Sequence, residues 1–389
     1  MQLEAVPYAQ LSPLQQKQRL QELALVFLKL GTIAFGGPAA HIGMMNLEVV
    51  KRRQWLTEEK LLDLLGVTNL IPGPNSTELA IHIGYERAGW RGLIVAGSCF
   101  ILPAMLIVWT LAAIYVRYQK LPELEWVLYG IKPVIIAIVV QALWQLGKKA
   151  IKDIPTIMVA VGVVAAFFLG VNEILLLLLA GLGVTLIRNL GHGRSGTGAL
   201  LLPVFLAVNT PIAPPANWLN VFLFFLKIGS VLYGSGYVLL AFLQQDLVER
   251  NQWLTSQQLL DGIAIGQFTP GPVFTTATFI GYLLAGNAGA IASTIGIFLP
   301  AFVFVAVVNP WVPKLRQSPW VSSALDGVNA ASLGLMAAVT YTLARAAIVD
   351  LLTLVLAVVS VIIVFRFQVN SAWLVLAGGI VGLVVQLVT

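Results

Sequence analysis

Long apolar stretches alternate with short polar ones along nearly the whole chain of 389 residues. The apolar windows fall into two sets, near 23–45, 61–85, 93–116, 127–146 and 155–188, and near 219–243, 259–284, 287–309, 322–345 and 350–388. A helix needs roughly 20 apolar residues to span a bilayer. The last window of each set is long enough for two short helices, with breaks predicted at 170–172 and 368–370. The pattern predicts an all-α polytopic membrane protein.

The composition agrees with this pattern. The chain is 58% hydrophobic and 10% charged, whereas a soluble domain carries about 25% charged residues. Its net charge is +6, and the lysines and arginines lie between apolar windows, which is typical of membrane topology and not of a nucleic-acid surface. The single cysteine, Cys99, excludes an internal disulfide framework. The polar residues 1–22 predict an amphipathic helix in contact with membrane lipid, beginning at Ser12–Pro13.

The sequence is organised as two copies of one pattern. The matched segments are FLKLG and FLKIG (27–31 and 225–229), RRQWLTEEKLLD and RNQWLTSQQLLD (52–63 and 250–261), and two PGP triplets (72–74 and 270–272). The register then continues, shifted by one residue, as far as Asp153 and Asp350. The predicted organisation is an N-terminal amphipathic segment 1–22, repeat one 23–188, a linker 189–218 and repeat two 219–389.

Equivalent loops of the two repeats differ in charge. The loop after the first window carries Lys51, Arg52, Arg53 and Lys60 in repeat one, but only Arg250 in repeat two. Because cytoplasmic loops collect Lys and Arg, we expect the repeats to have inverted topology. A PGP segment that enters the membrane and returns would leave an odd number of crossings, about five in each repeat. Inverted repeats with broken or re-entrant helices that meet near the membrane midplane are typical of secondary transporters.

Each repeat contains two predicted helix breaks. The PGP triplets end one helix and allow another to start, with Asn75 and Glu78 expected to form a capping-box-like pair. The first windows break at AFGGPAAHIG (34–43) and LYGSGYVLLA (232–241). Half-helices of roughly 15 Å place the PGP breaks near the midplane. Their N-termini would direct N–H groups at an anion. The alternative is a hinge with self-satisfied caps.

Three groups of candidate site residues follow from these breaks. The expected substrate-binding residues are Lys29, Gly36, Gly37, Gly73, Asn75, Ser76, Thr77, Lys227, Gly234, Ser235, Gly236, Gly271, Thr275 and Thr276. The helix-breaking residues are Pro38, Pro72, Pro74, Pro270 and Pro272. The proton-coupling candidates, which have no counterpart in repeat two, are Glu78, His41 and His82.

Each group has a structural alternative. Intramembrane lysines are costly and by default functional, but long side chains also extend to the interface. In the alternative reading, Glu78 only caps its helix, and the two histidines form hydrogen bonds with backbone carbonyls. Asp63 and Asp261 follow the predicted N-caps Thr57 and Thr255, and there the helix dipole is the favoured explanation.

The motifs FGGPAAHIG and PGPNSTELAIHIGY in repeat one, with YGSGY and FTPGP in repeat two, resemble those of the chromate ion transporter family in its long, two-domain form. The resemblance covers about residues 20–388. It implies an exporter of chromate in the bacterial inner (plasma) membrane, driven by the electrochemical gradient. The family's motif positions fall on Phe35, Gly36, Pro38, His41, Pro72, Gly73, Pro74, Asn75, Ser76, Glu78, Gly234, Gly236, Pro270, Gly271 and Pro272.

The residues and the resemblance both predict a secondary transporter for a tetrahedral dianion. The main alternative is a sulfate or general oxyanion transporter that works in uptake or exchange, and an anion channel is a third reading. An intramembrane enzyme is not expected, because Ser76 and His82 would lie on opposite faces of a helix. GHGRSG (191–196) lacks a preceding strand, and no Walker A or metal-ligand motif is present, so no cofactor or metal is expected. No nucleic-acid partner is expected, and a homodimer is left open.

Overall fold

The computed structural model describes residues 7–35, 37–118, 121–190, 216–233, 236–308, 318–367 and 369–388, and these form helices joined by short turns. Repeat one contains α1 (Pro13–Ile33), α2 (Gly37–Met45), α3 (Glu58–Thr68), α4 (Asn75–Tyr118), α5 (Pro122–Ala150), α6 (Ile154–Phe168) and α7 (Glu173–Leu190). Repeat two contains α8 (Trp218–Val231), α9 (Leu239–Phe242), α10 (Ser256–Phe268), α11 (Thr276–Val308), α12 (Pro319–Ala347), α13 (Leu351–Phe367) and α14 (Ser371–Val388). Most of the predicted linker 189–218 lies outside the described residues.

Side-chain caps fix several helix starts where the sequence predicts them. Ser12 and Gln15 form a capping box with Pro13 in the first turn. Thr57 and Thr255 each accept a hydrogen bond from the backbone three residues on. The helix that begins at Pro13 continues without a break to Ile33. The polar segment expected as a separate surface helix is therefore the first part of α1.

The start of α4 differs from the prediction. The carbonyl of Pro74 accepts the N–H groups of Thr77 and Glu78, at 2.8 and 3.0 Å, so Asn75 and Glu78 do not form a capping box. The side chain of Asn75 instead donates to Oδ1 of Asn69 at 3.0 Å. The Thr77 N–H, which a side-chain cap would bond, is satisfied by the Pro74 carbonyl, whereas the N–H groups of Asn75 and Ser76 have no intrahelical acceptor.

Four of the described helices, α4, α5, α11 and α12, are long and apolar enough to cross a membrane. Both α4 and α11 contain a sharp bend, at Ala88–Gly89 and Ala285–Gly286, where the glycine has a φ of 58° in each repeat. A first half, 75–87, therefore ends at the bend, and a second half, 90–118, runs back. Shorter apolar helices include α6, α8, α13 and most of α14. The chain is an all-α polytopic membrane protein.

In repeat one, α1 to the first half of α4 form two hairpins that open to one face of the bundle. Side-chain contacts hold their outer ends together: Lys29 pairs with Glu48 at 2.7 Å, Lys60 with Glu86 at 3.0 Å, and Arg87 with Glu22 at 3.3 Å. We call this end the first face, and residues 13–87 hairpin unit one. The hairpin tips, at 34–35 and 70–74, lie at the opposite end of the unit.

The prediction of five crossings in repeat one is wrong, because the first window also turns back. After α2 the chain continues as a π-helical segment, Asn46–Arg52, which returns it to the first face. Of the described helices of repeat one, α4 and α5 are long and apolar enough to cross a membrane, whereas α6 and α7 are shorter. Hydropathy does not distinguish a hairpin from a span of equal length, so the apolar window alone could not reveal the turn.

Repeat two has the opposite orientation. The second half of α4 leads away from the first face, and near its end the Tyr115 hydroxyl donates to Oδ2 of Asp261 in α10 at 2.8 Å. Arg250 pairs with Glu173 at the start of α7, at 3.1 Å, whereas Arg188 at the end of α7 pairs with Asp153 at 2.6 Å. Residues 218–284, hairpin unit two, thus open to the other end, the second face. The predicted inversion of the two repeats is confirmed.

A cavity at the two helix breaks

The tips of the two hairpin units bond to each other through reciprocal backbone contacts. The N–H of Gly73 donates to the carbonyl of Leu232 at 2.8 Å, and the N–H of Gly271 donates to the carbonyl of Ala34 at 2.9 Å. Both glycines have positive φ, 143° and 92°, which other residues adopt with difficulty. The expected convergence of broken helices is present. The two glycine N–H groups already have acceptors, however, so they do not point freely at a ligand in this structure.

A cavity of about 290 Å³ lies beside these tips. The breaks contribute Pro38, Ala39, Pro74, Asn75, Ser76, Gly236, Val273 and Phe274 to its lining. Further polar groups come from Asn69, which follows α3, from Gln145 and Lys149 of α5, and from Asn329 of α12. Asn75 and Ser76 are the first two residues of α4, where helix N–H groups lack intrahelical acceptors and the dipole favours an anion. The cavity thus combines a helix N-terminus, amide side chains and one lysine.

Lys149 is the cation that this cavity can offer to an anion. Its ammonium group has no carboxylate partner within the described part of the chain, because the acidic groups nearby are taken: Lys152 and Arg188 bond to Asp326, both at 2.6 Å. A second cavity of about 610 Å³ shares Pro38, Ala39, Ala142 and Gln145 with the first. It is also lined by Gly37, Lys148, Asn370 and Ser371, and connects the site with the end of α5 at the first face.

The two predicted lysines lie elsewhere. Lys29 pairs with Glu48 at 2.7 Å, and Lys227 pairs with Asp246 at 3.1 Å. Each carboxylate also bonds an arginine one turn on, Arg52 or Arg250. The lysine side chains are close to half exposed and contact neither cavity lining. The equivalence of the two lysines therefore reflects a repeated ion pair within each hairpin unit.

Other predicted substrate-binding and helix-breaking residues form the turns at the helix breaks. The hydroxyls of Thr275 and Thr276 donate to carbonyls of their own turn, Pro272 and Val273, at 2.7 and 2.8 Å. Pro72, Pro270 and Pro272 lie in the two PGP turns and are buried. Gly36, Gly234 and Ser235 lie outside the described residues.

The three proton-coupling candidates are all buried, but their surroundings differ. Nε2 of His41 lies 3.1 Å from the carbonyl of Ala34, so the backbone-bonding alternative accounts for this residue. Both carboxylate oxygens of Glu78, and both ring nitrogens of His82, lack a hydrogen-bond partner within the described residues. Thr77 Oγ1 also lacks a hydrogen-bond partner within the described residues. A side chain on Gly73 would collide with Oε1 of Glu78, which places this carboxylate directly behind the PGP turn.

Sequence reasoning missed Lys149, Gln145, Asn69 and Asn329. A signal for the α5 residues was available, since Gln141, Gln145 and Lys149 recur every fourth residue in the C-terminal half of the helix. This spacing places all three on one helix face. Asn69, which follows α3, and Asn329 of α12 are distant from these residues in sequence. No local sequence pattern therefore relates them to α5.

Inverted repeats, broken helices and a polar cavity at their junction define a membrane transporter of the broken-helix class. The family model described as Chromate transporter matches residues 21–185 and 219–383, once for each repeat. The chain is 33% identical to the chromate transport protein of Cupriavidus metallidurans over 94% of this chain and 93% of that protein. It is 32% identical to the probable chromate transport protein of Synechococcus elongatus, over 88% and 89% of the two chains. No solved structure matches it significantly. The chain belongs to the chromate transporter family.

Proposed function

We propose that this protein is a secondary active transporter that exports chromate from the cytoplasm across the bacterial inner membrane, without an enzymatic step. The cavity at the helix breaks is the observation that carries the proposal. It offers a helix N-terminus and a lysine to a tetrahedral dianion, and its volume of about 290 Å³ accommodates such an ion with some water. Membership of the family supplies the chromate class of substrate.

The orientation of the protein in the membrane rests on the charge of the two faces, and export is the direction that the family resemblance implies. The first face gathers Lys51, Arg52, Arg53, Lys60, Arg87, Arg91, Lys148, Lys149 and Lys152. The second face has Arg250 in contact with Glu173 and Asp246. The excess of basic residues favours the first face as the cytoplasmic one. Chromate would then enter through the larger cavity past Lys148 and reach the helix breaks.

Within the site we assign the charge-neutralising role to Lys149 and not to Lys29 or Lys227. Burying a dianion without a counter-charge is strongly unfavourable. The carboxylates of Glu48 and Asp246 already neutralise the other two lysines, whereas Lys149 contacts the cavity directly. The N–H groups at Asn75 and Ser76 and the amides of Gln145 and Asn329 orient the oxygens.

The driving force is assigned to a proton carried by Glu78. An isolated carboxylate without a hydrogen-bond partner is stable in an apolar interior only when protonated, and Glu78 is fully buried without such a partner. It lies next to the PGP turn, so its ionisation would disturb the tip that borders the anion. This contact couples proton release to movement of the break.

Chromate uptake into everted vesicles under an imposed pH gradient or potential tests the proposal. Lys149→Met should reduce uptake at low chromate by about tenfold or more, the weight of a lost charge-assisted contact, while Lys149→Arg retains most of it. Lys29→Met is the matched control and should have a much smaller effect. The assignment fails if Lys29→Met is the more damaging change.

The same vesicles distinguish the sulfate alternative. Chromate and sulfate share charge and shape, so a site made of amides and one ammonium group should let sulfate compete with chromate, while a monoanion of similar size competes poorly. Sulfate transport without chromate transport would assign the protein to sulfate. Flux that does not saturate with concentration would favour a channel.

A further inference from the structure

A third cavity, of about 660 Å³, lies at the second face, away from the site described above. Its polar lining is Tyr115, Glu125, Tyr129, Lys132, Gln257 and Asp261. Lys132 is largely buried, and its ammonium group pairs with Oδ1 of Asp261 at 3.0 Å. Oδ2 of the same carboxylate accepts the Tyr115 hydroxyl at 2.8 Å. The predicted helix-dipole role of Asp261 is thus incomplete, because this residue forms a buried ion pair.

The repeat relationship connects this cavity with the chromate site. Lys132 in α5 is the counterpart of Asn329 in α12, and Asn329 lines the cavity at the helix breaks. Likewise Ala346, in the lining of the second-face cavity, is the counterpart of Lys149. Each cavity therefore contains one lysine of α5, and the two lysines lie about 25 Å apart along the helix at 1.5 Å per residue.

The two lysines differ in what they contact. Lys149 has no carboxylate partner within the described residues, whereas Lys132 is held by Asp261. The position equivalent to Asp261 in unit one is Asp63, which is exposed on α3. Asp261 therefore pairs with α5 at the second face, whereas its counterpart at the first face is exposed.

We propose that Lys132 is a second anion-binding site, at the second face, and that Asp261 occupies it as a tethered substitute for the transported oxyanion. This inference rests on the proposed function, since it assigns the exit site of the same path. A carboxylate and a tetrahedral oxyanion both satisfy an ammonium group. Asp261 must leave Lys132 before the anion binds there, and its return displaces the anion toward the second face.

The surrounding groups favour release. Glu125 lines the same cavity, and a second negative charge near a bound dianion raises its free energy. Tyr115 fixes Asp261 in the position that competes with the anion. The arrangement therefore lets the anion bind briefly at Lys132 and prevents it from returning at high concentration on the second-face side.

The test measures inhibition of chromate flux by sulfate added only on the second-face side of oriented vesicles. Asp261→Asn removes the competing charge and should lower the half-inhibitory sulfate concentration by about tenfold or more, in the range of coupling measured for close charge pairs. Inhibition from the first-face side should be unchanged. Lys132→Met in addition to Asp261→Asn should abolish the gain, and Lys132→Arg should keep it. The matched control Asp63→Asn should leave second-face inhibition at the wild-type value.

Calorimetric titration of the purified full chain with sulfate supplies a readout that does not need transport. If the wild type fails to transport chromate but Asp261→Asn still binds sulfate more tightly, the proposed function is wrong and the site stands. If the wild type transports chromate and Asp261→Asn shows wild-type sulfate inhibition, the site is overturned. Should Asp261→Asn not fold, Tyr115→Phe loosens the same carboxylate and should shift the inhibition in the same direction, and no shift would again overturn the site.

Discussion

Hairpin units one and two have the same helices and the same breaks, yet they pack differently on the rest of the protein. Leu62 in α3 is 59% exposed, whereas its counterpart Leu260 in α10 is fully buried. Leu47 is 42% exposed and its counterpart Gln245 only 7%. The polar residue is thus the more buried of the second pair. Burial at these positions is decided by what covers each unit, and not by the hydrophobicity of its sequence.

The apolar cores show the same contrast. Unit one packs around a core of its own that extends from Leu23 to Phe100. The core of unit two is continuous with α5, α6, α7 and α12–α14, which we call the scaffold. Helix α10 packs against α5, α12 and α14, while α3 packs chiefly on α4 and the segment 46–52. The space that unit one leaves beside the scaffold is the pair of first-face cavities. Unit two therefore packs more closely on the scaffold than unit one does.

The largest effect on this comparison is expected from side chains at the tip glycines. A Cβ on Gly271 would lie 2.7 Å from Cβ of Ala104, whereas one on Gly73 would meet the movable side chain of Glu78. With positive φ at both sites, Gly271→Val should lower the free energy of unfolding by about 3 kcal/mol or more and eliminate transport. Gly73→Ala should be milder than Gly271→Ala in thermal unfolding. Equal melting temperatures for the two alanine variants would contradict the asymmetry.

The next effect concerns the buried ion pair at the second face. Glu173 is buried and bonds Arg250, while the counterpart of Glu173 in repeat two is Asn370, which gives Arg52 no such carboxylate. Arg250→Gln should cost about 3 kcal/mol, because a buried carboxylate loses its partner. Arg52→Gln should cost under about 1 kcal/mol, since Arg52 is mostly exposed and Glu48 keeps Lys29 as a partner. Chemical unfolding of both variants measures these costs. Similar costs would contradict the larger stabilisation expected from the Arg250–Glu173 pair.

Cysteine labelling gives a direct measure of exposure in the two units. In a Cys99→Ser background, Leu62→Cys should react with a soluble maleimide about tenfold or more faster than Leu260→Cys, because buried positions react only through opening of the structure. Adding Arg250→Gln should speed the reaction at position 260 and leave position 62 unchanged. Equal rates in the starting proteins would show that the two units do not differ in solution.

The smallest effect is confined to pH dependence. Glu78 has no acidic counterpart, because Thr276 occupies its position in unit two. Glu78→Gln should retain anion binding and flatten the pH profile of chromate flux, since the amide cannot release a proton. Thr276→Val is the control and should keep the wild-type profile. A pH profile unchanged by Glu78→Gln would remove this residue from coupling.

Features encoded within one repeat could be predicted from the sequence, and features made between repeats could not. The helix starts at Ser12, Thr57 and Thr255 depend on side chains within a turn, and the PGP breaks depend on proline and glycine themselves. The carbonyls that accept the N–H groups of Gly73 and Gly271 belong to the other repeat, so no local sequence pattern predicts them. The pair that Lys29 forms with Glu48 could not be predicted, because Glu48 lies on the returning arm of a hairpin that has the hydropathy of a single span.

The crossed hydrogen bonds at the tips have a consequence for how the chain is assembled. Neither repeat can satisfy the amide of its own PGP glycine, and an unsatisfied amide at membrane depth costs several kcal/mol. A polypeptide cut between residues 190 and 216 should therefore yield halves that are inactive alone and recover transport when produced together. Joining the repeats in one chain replaces an encounter between two oppositely inserted molecules by an intramolecular one, and so fixes their ratio at one to one.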